Sequence, residues 1–419
     1  MQDLTADVQA PGPTGQAWRR DAQAASLVGI AHLSSHFFQM LLPPLYPWLM
    51  RDFGIGYMEA GFLATVFFVI SSAGQTVAGF AVDRFGAYRV LLIGMSLLVL
   101  SGVMLGLTTS YAGLLATAAL AGAGSAMFHP ADFTILNRRV SPARLGHAFA
   151  MHGLSGNLGW AAGATFMAAV TAVAGWHVAG FCAAALALLV TLLLLTQSSV
   201  LAVGPAEAHG AALPASAPQV TLDRPFAFLG SVTIWMCLAY FMISSAAVGI
   251  LQNFAPAMLS HVYPVSLALG TVCLTSYLLG AAAGMVLGGF IAGREKRSAR
   301  VVAISLILAA TISLAVFSAQ VPTPVLIPVL FLLGCSAATS SVSRDLLVRQ
   351  AAMTQFGPES FGRIYGFVYA GLDAGLALGP LMVGHILDRG LFRSGLLCVA
   401  VLQLGAGVIA LGLGGRGRR

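Results

Sequence analysis

Twelve apolar runs, each about the ~20 residues needed to cross a hydrocarbon core or longer, leave this chain little freedom of fold. They lie near residues 24–49, 59–81, 90–109, 112–137, 146–173 and 175–196, then 226–258, 264–292, 300–319, 324–349, 362–387 and 392–413. In lipid every backbone N–H and C=O must find its partner inside the segment, so runs of this length become helices. The composition agrees: 58% of the 419 residues are hydrophobic and 8% are charged, where a soluble globule carries about a quarter charged residues. The expected fold class is all-α and integral to the membrane, with twelve transmembrane helices in two six-helix halves.

The domain plan follows from the gap between the sixth and seventh runs. Residues 197–225 are rich in Ala, Pro and Ser and include Glu207, His209 and Asp223, a composition suited to a cytoplasmic linker. This gives a polar tail over 1–23, a first half over 24–196, the linker, a second half over 226–413 and a basic tail over 414–419. Residues 1 to about 20 lack periodicity and read as disordered. The first run ends in Pro43-Pro44-Leu45-Tyr46-Pro47 without a small-residue cleavage pattern, so it reads as a membrane helix and not a signal peptide. The halves echo each other at a nearly constant offset: Gly79 and Arg84 recur as Gly289 and Arg294, Gly146 as Gly362, Gly159 and Gly163 as Gly375 and Gly379, and Pro44 as Pro256.

Charge then orients the chain. With both termini in the cytoplasm, Arg84, Arg89, Arg138, Arg139, Arg144, Arg224, Arg294, Lys296, Arg297, Arg300 and Arg363 fall on one side and only Arg51, Arg389 and Arg393 on the other. That is the positive-inside pattern of an inner (plasma) membrane protein. It also accounts for the net charge of +7 without a nucleic-acid surface. The five cysteines all sit inside apolar runs at unpaired spacings, which indicates neither disulfides nor a zinc site. No cofactor and no metal are expected. Gly-x-x-x-x-Gly-Lys-Ser/Thr, His-Glu-x-x-His and Gly-x-Ser-x-Gly are absent, which speaks against an ATP-driven pump and against an intramembrane enzyme.

Between the second and third runs stands Gly79-x-x-x-Asp83-Arg84-x-Gly86-x-x-Arg89. This resembles the signature loop between helices 2 and 3 of the major facilitator superfamily of secondary transporters. The resemblance implies two parallel six-helix repeats with the substrate path between them. It also implies that Gly79, Asp83, Arg84, Gly86 and Arg89 form a conformational latch of the outward-facing state, not a substrate site. The second copy of the loop has Gly293 where the Asp belongs, so latching rests more on the first half. Within the superfamily, His32-x-x-x-His36-x-x-Gln39, Leu45-Tyr46-Pro47 and Gly122-Ala123-Gly124-Ser125-Ala126-Met127-Phe128-His129-Pro130 resemble the fosmidomycin-resistance branch of drug exporters. That branch has an Asn-Asp pair where Ser35-His36 stands, and an acid where Ala131 stands.

Ionisable side chains at membrane depth are costly and few here, so each is weighed for transport against helix packing. His32 and His36 share a helix face at i and i+4, with Gln39 nearly above. His129 and Asp132 flank a proline-bearing stretch of the fourth run. Substrate or proton path candidates are His32, His36, Gln39, His129, Asn157 and Asp373, the last near mid-membrane, and Asn157 is its counterpart in the first half. Asp132 is expected at a cytoplasmic gate, paired with Arg138 or Arg84, and Arg344 with Asp345 receives the same reading. His152 reads as packing. Gly159, Gly163, Gly375, Gly379 and Pro380 read as close-packing positions. They also resemble the helix 5 antiporter motif, with Trp160 in place of its proline, and Ala118 replaces the family's helix 4 arginine. The function expected is proton-coupled efflux of a small organic molecule or drug by a monomer, with a proton-coupled uptake symporter as the alternative.

Overall fold

A computed structural model describes residues 15–202, 227–292, 298–356 and 361–416. The side chains of Asp83 and Arg363, most of the linker, Gly293, Arg294 and the end of the basic tail lie outside the described residues. The chain forms α1 (Gly15–Gln39), α2 (Tyr46–Phe53), α3 (Tyr57–Phe85), α4 (Ala87–Leu107), α5 (Tyr111–Ala126), α6 (Phe128–Arg139), α7 (Pro142–Ala174), α8 (Trp176–Thr196) and α9 (Ser198–Leu201). The second half adds α10 (Val232–Val262), α11 (Leu267–Ala292), α12 (Ser298–Phe317), α13 (Leu326–Phe356), α14 (Phe361–Asp388) and α15 (Phe392–Arg416). Twelve spans among the described residues are long and apolar enough to cross a membrane. The first is α1 with α2 and the fourth is α5 with α6, each broken once.

Both breaks have a local cause. Pro43, Pro44 and Pro47 remove N–H donors after Gln39, and the chain turns through a short 3-10 segment at Pro43–Leu45 before resuming as α2. In the fourth span Pro130 lacks the N–H that would continue α5. Met127 bonds back to Gly124 at 3.1 Å, and Ala131 bonds Met127 at 3.3 Å to start the next helix.

The two halves pack alike. In the first, α1 lies on α7, α3 on α5 and α4 on α8; in the second, α10 lies on α14, α11 on α13 and α12 on α15. Contact between the halves runs through α3 with α14 and α7 with α11. Without a hydrophobic driving force inside lipid, these helices approach wherever small residues allow. A Cβ on Gly163 would stand 2.6 Å from the Phe37 carbonyl oxygen of α1, and one on Gly379 would stand 2.6 Å from that of Ala246 on α10. Gly159 and Gly375 sit against the same two helices, and the Pro380 carbonyl packs on Gly61 across the halves.

Two boundaries differ from the sequence reading. The stretch expected as a tail to residue 23 is already helical from Gly15, because Asp21 Oδ2 is anchored to the start of α7. It accepts from the Ser141 hydroxyl at 2.7 Å and from Arg144 Nε at 2.9 Å. The signature stretch expected as a loop is mostly helix: Gly79, Asp83 and Arg84 lie in α3, and the turn is the single residue Gly86. Its φ of +86° suits a glycine.

Candidate functional site

The polar groups of the first half converge on one place. On α1, His32 and His36 point the same way, their ring centroids 4.5 Å apart. The break before α6 turns His129 and Asp132 toward them, and α7 brings His152. His32 and His152 stack at 3.5 Å, while His129 lies 5.2 Å from His32 and 6.4 Å from His36. Space for the His36 ring is supplied by Gly156, where a Cβ would stand 2.9 Å from it. Trp160 closes the cluster on one side, 4.6 Å from His36, and donates from Nε1 to Gln39 Oε1 at 2.7 Å. Phe133 covers the other, stacked on His129 and 5.0 Å from His152.

Asp132 joins this cluster through His32 and His152. It is 0% exposed, and Oδ2 lies 3.2 Å from His32 Nδ1 and 3.1 Å from His152 Nε2. Asp132 and Arg138 stand six residues apart on α6, so they face different sides of that helix, and the bend at Met127 turns the Asp132 side toward α1. Arg84 is exposed, with its guanidinium over the Phe85 ring at 5.6 Å. Arg344 and Asp345 do not bridge the halves. They pair with each other at 3.0 Å, Tyr369 of α14 donates to Asp345 at 3.1 Å, and Arg344 lies over Phe241 of α10 at 4.4 Å. All four belong to the second half. His152, read from sequence as packing, is a full member of the cluster; its signal was its position one turn before Gly156, on the α7 stripe facing α1.

Asp373 and Asn157 fall elsewhere, on the two contacts between halves. Gln75 of α3 donates to Asp373 Oδ2 at 3.2 Å, and Asn157 donates to the Met285 sulfur of α11 at 3.7 Å. From these points toward the face opposite the basic loops, further bonds cross between the halves. Thr65 donates to the Ala377 carbonyl at 2.7 Å, Thr165 and Thr275 share a bond at 2.9 Å, and Tyr46 donates to Asn253 at 2.8 Å. At the rim the Asp388 carboxylate of α14 accepts the N–H groups of Tyr57 and Met58, at 2.6 and 2.9 Å, capping the N-terminus of α3 from the other half. The described cross-half hydrogen bonds thus close the opposite face, from Gln75–Asp373 outward.

Just inside that closure lies a cavity lined by Gln39, Tyr46, Phe67, Phe68, Gln252 and Asn253. Gln252 is 1% exposed and both atoms of its amide are buried without a partner. Sequence reasoning passed over Gln252 and Asn253. The signal was available: two adjacent amides in the middle of an otherwise apolar run.

Residues 28–352 match the family model described as Major Facilitator Superfamily. The Fosmidomycin resistance protein of Escherichia coli (strain K12) is 28% identical over 269 residues, covering 62% of this chain and 63% of that protein. A second relative, the uncharacterized MFS-type transporter YfnC of Bacillus subtilis (strain 168), is 27% identical over 135 residues, 32% of this chain and 33% of its own. The chain thus spans less than two thirds of the length of either relative. Among solved structures, the nucleoside transporter NupG superposes with a TM-score of 0.73 at 15% identity, over 93% of this chain and 99% of that one. A bacterial homologue of the human lysosomal transporter Spinster, in an inward-facing and occupied conformation, gives 0.72 at 14% identity over 94% and 97%. With the family model covering most of its length and the twelve spans paired in two repeats, this chain belongs to the Major Facilitator Superfamily.

Proposed function

We propose that the chain is a secondary active transporter of the inner membrane that works as a monomer and exports a small organic molecule in exchange for protons. The observation that carries this reading is the one-sided closure between the halves with a carboxylate at its inner edge. Asp373 is partly buried, sits on the α3–α14 contact, and has the side chains of Ser72 and Gln75 on α3 as hydrogen-bond partners. An acid at that depth without a cation beside it is suited to carry a proton, and its hydrogen bond joins the two bodies that must move apart. With the basic face toward the cytoplasm, as the arginine distribution argues, the closure faces outward and the conformation is inward-facing. The latch residues Gly79, Asp83, Arg84, Gly86 and Arg89 would then act in the opposite state, when the basic ends of the halves meet.

The substrate site in this reading is the cavity at Gln39, Tyr46, Gln252 and Asn253, where an unpartnered amide awaits a donor and an acceptor. Efflux is supported by the name of the Escherichia coli relative, a resistance protein. The test is counterflow of candidate substrates, fosmidomycin among them, in proteoliposomes with an imposed pH gradient. A substrate that moves up its own gradient against the direction of proton flow is the expected result. Substrate accumulating in the same direction as protons would assign the chain to uptake symport, and indifference to the gradient would remove proton coupling.

A further inference from the structure

The buried histidine cluster holds more lone pairs than the helices around it use. Both ring nitrogens of His36 are buried without a hydrogen-bond partner, and so is Oδ1 of Asp132. Buried polar atoms are normally satisfied, so a group of them left open at one point asks for an occupant. His32, His36 and His129 each bring a ligand atom to one place, all within 4.8 Å of one another, and His32, Asp132 and His152 form a second such group sharing His32. A packing role explains the ring contacts but not the orphaned nitrogens.

We infer that His32, His36 and His129 form a binding site for a divalent transition cation, with Asp132 and His152 as its outer support. The ligand set is imidazole nitrogen backed by carboxylate, which suits zinc, cobalt or nickel and disfavours magnesium or calcium, whose ligands are oxygens. Rotation of the three rings draws the ligand atoms together to metal distances of about 2.0–2.1 Å. Asp132 Oδ2 lies 3.2 Å from His32 Nδ1, a nitrogen that is itself buried without a hydrogen bond, and so places a negative charge behind the imidazoles as carboxylates behind metal-bound histidines do. Asp132 and His152 are buried, whereas His36 and His129 are only half-buried, so the cluster is reached from the side of His36 and His129. Three imidazoles leave one position of a tetrahedral site for water. All five residues lie on α1, α6 and α7 of one half, so occupancy does not itself tie the two halves together. This inference concerns equilibrium binding and stands apart from the transport reading.

The test uses the full chain in detergent, purified through a histidine-free tag, stripped with chelator and titrated with Co2+. One equivalent should give the strong visible absorption of a low-coordinate nitrogen site, and Zn2+ should displace it. His36→Ala and His129→Ala should each abolish that absorption. Asp132→Asn should weaken binding about 10–100-fold, the usual effect of removing an outer partner. His385→Ala, on exposed α14 surface, should leave it unchanged. His36→Cys should add a sulfur-to-cobalt charge-transfer band, which only a direct ligand produces. A wild-type spectrum that stays that of hydrated Co2+ would overturn the site even if every variant misfolds. So would tight binding that persists in folded His36→Ala and His129→Ala, or a folded His36→Cys that binds Co2+ without the sulfur band.

Discussion

Asp373→Asn is expected to reduce transport driven by a pH gradient to background while leaving substrate exchange at equal pH at the wild-type level. The reason lies in where the residue sits. Its carboxylate takes the hydrogen bond from Gln75 at the inner edge of the closed contact, and it lies outside the cavity around Gln252. Asparagine keeps the shape and can still accept from Gln75, so the closed contact survives and substrate still binds and exchanges. What is lost is the group proposed to take up and release a proton between the two states. Proteoliposome transport with and without the gradient separates the two tasks. Uphill transport at the wild-type rate in this variant would place the proton site elsewhere.

Gly163→Leu should be among the most damaging single changes in the first half. A Cβ there already meets the Phe37 carbonyl oxygen at 2.6 Å and the Met40 Cβ at 2.9 Å, and backbone cannot rotate aside as a flexible side chain can. The α1–α7 contact would have to open, which also unseats the His36 ring between them. Overpacking of this kind costs about 1–3 kcal/mol or more, well beyond the gain of about 1 kcal/mol from replacing a helical glycine. Gly146→Leu on the same helix is the control, since nothing stands within 4 Å of its Cβ position. Thermal unfolding in detergent should therefore fall for the first variant and hold or rise for the second.

The number of spans, their division into repeats and the glycine contacts were legible because they rest on run length and residue size, which the sequence states directly. The polar sites were legible only in part. His32, His36 and His129 were singled out by the cost of placing them in lipid, and they do converge. Asp132 lies against His32 and His152, which depth alone does not reveal: six residues before Arg138 on the same helix, it faces a different way. Arg344 and Asp345 do pair, as their adjacency allows, and the tie to Tyr369 of the same half is not visible from depth alone. Closure at the opposite face was invisible in the sequence. Asp388 acts there through the backbone N–H groups of Tyr57 and Met58, and backbone donors leave no trace in residue type. Gln252 and Asn253 could have been found by applying to neutral amides the scrutiny given to charged groups.

Alternating access requires the two ends of the α3–α14 and α7–α11 contacts to open and close oppositely. Spin-label pairs report this directly: one across the closed face, at positions 58 and 389, and one across the basic half of the same helices, at positions 77 and 370. Distances are read by pulsed electron resonance between pH 5 and 8, with and without substrate. The expected result is a population in which the first distance lengthens while the second shortens, with its share set by pH in the wild-type background and no longer by pH in Asp373→Asn. Two distances that change together, or neither changing under any condition that supports transport, would contradict it.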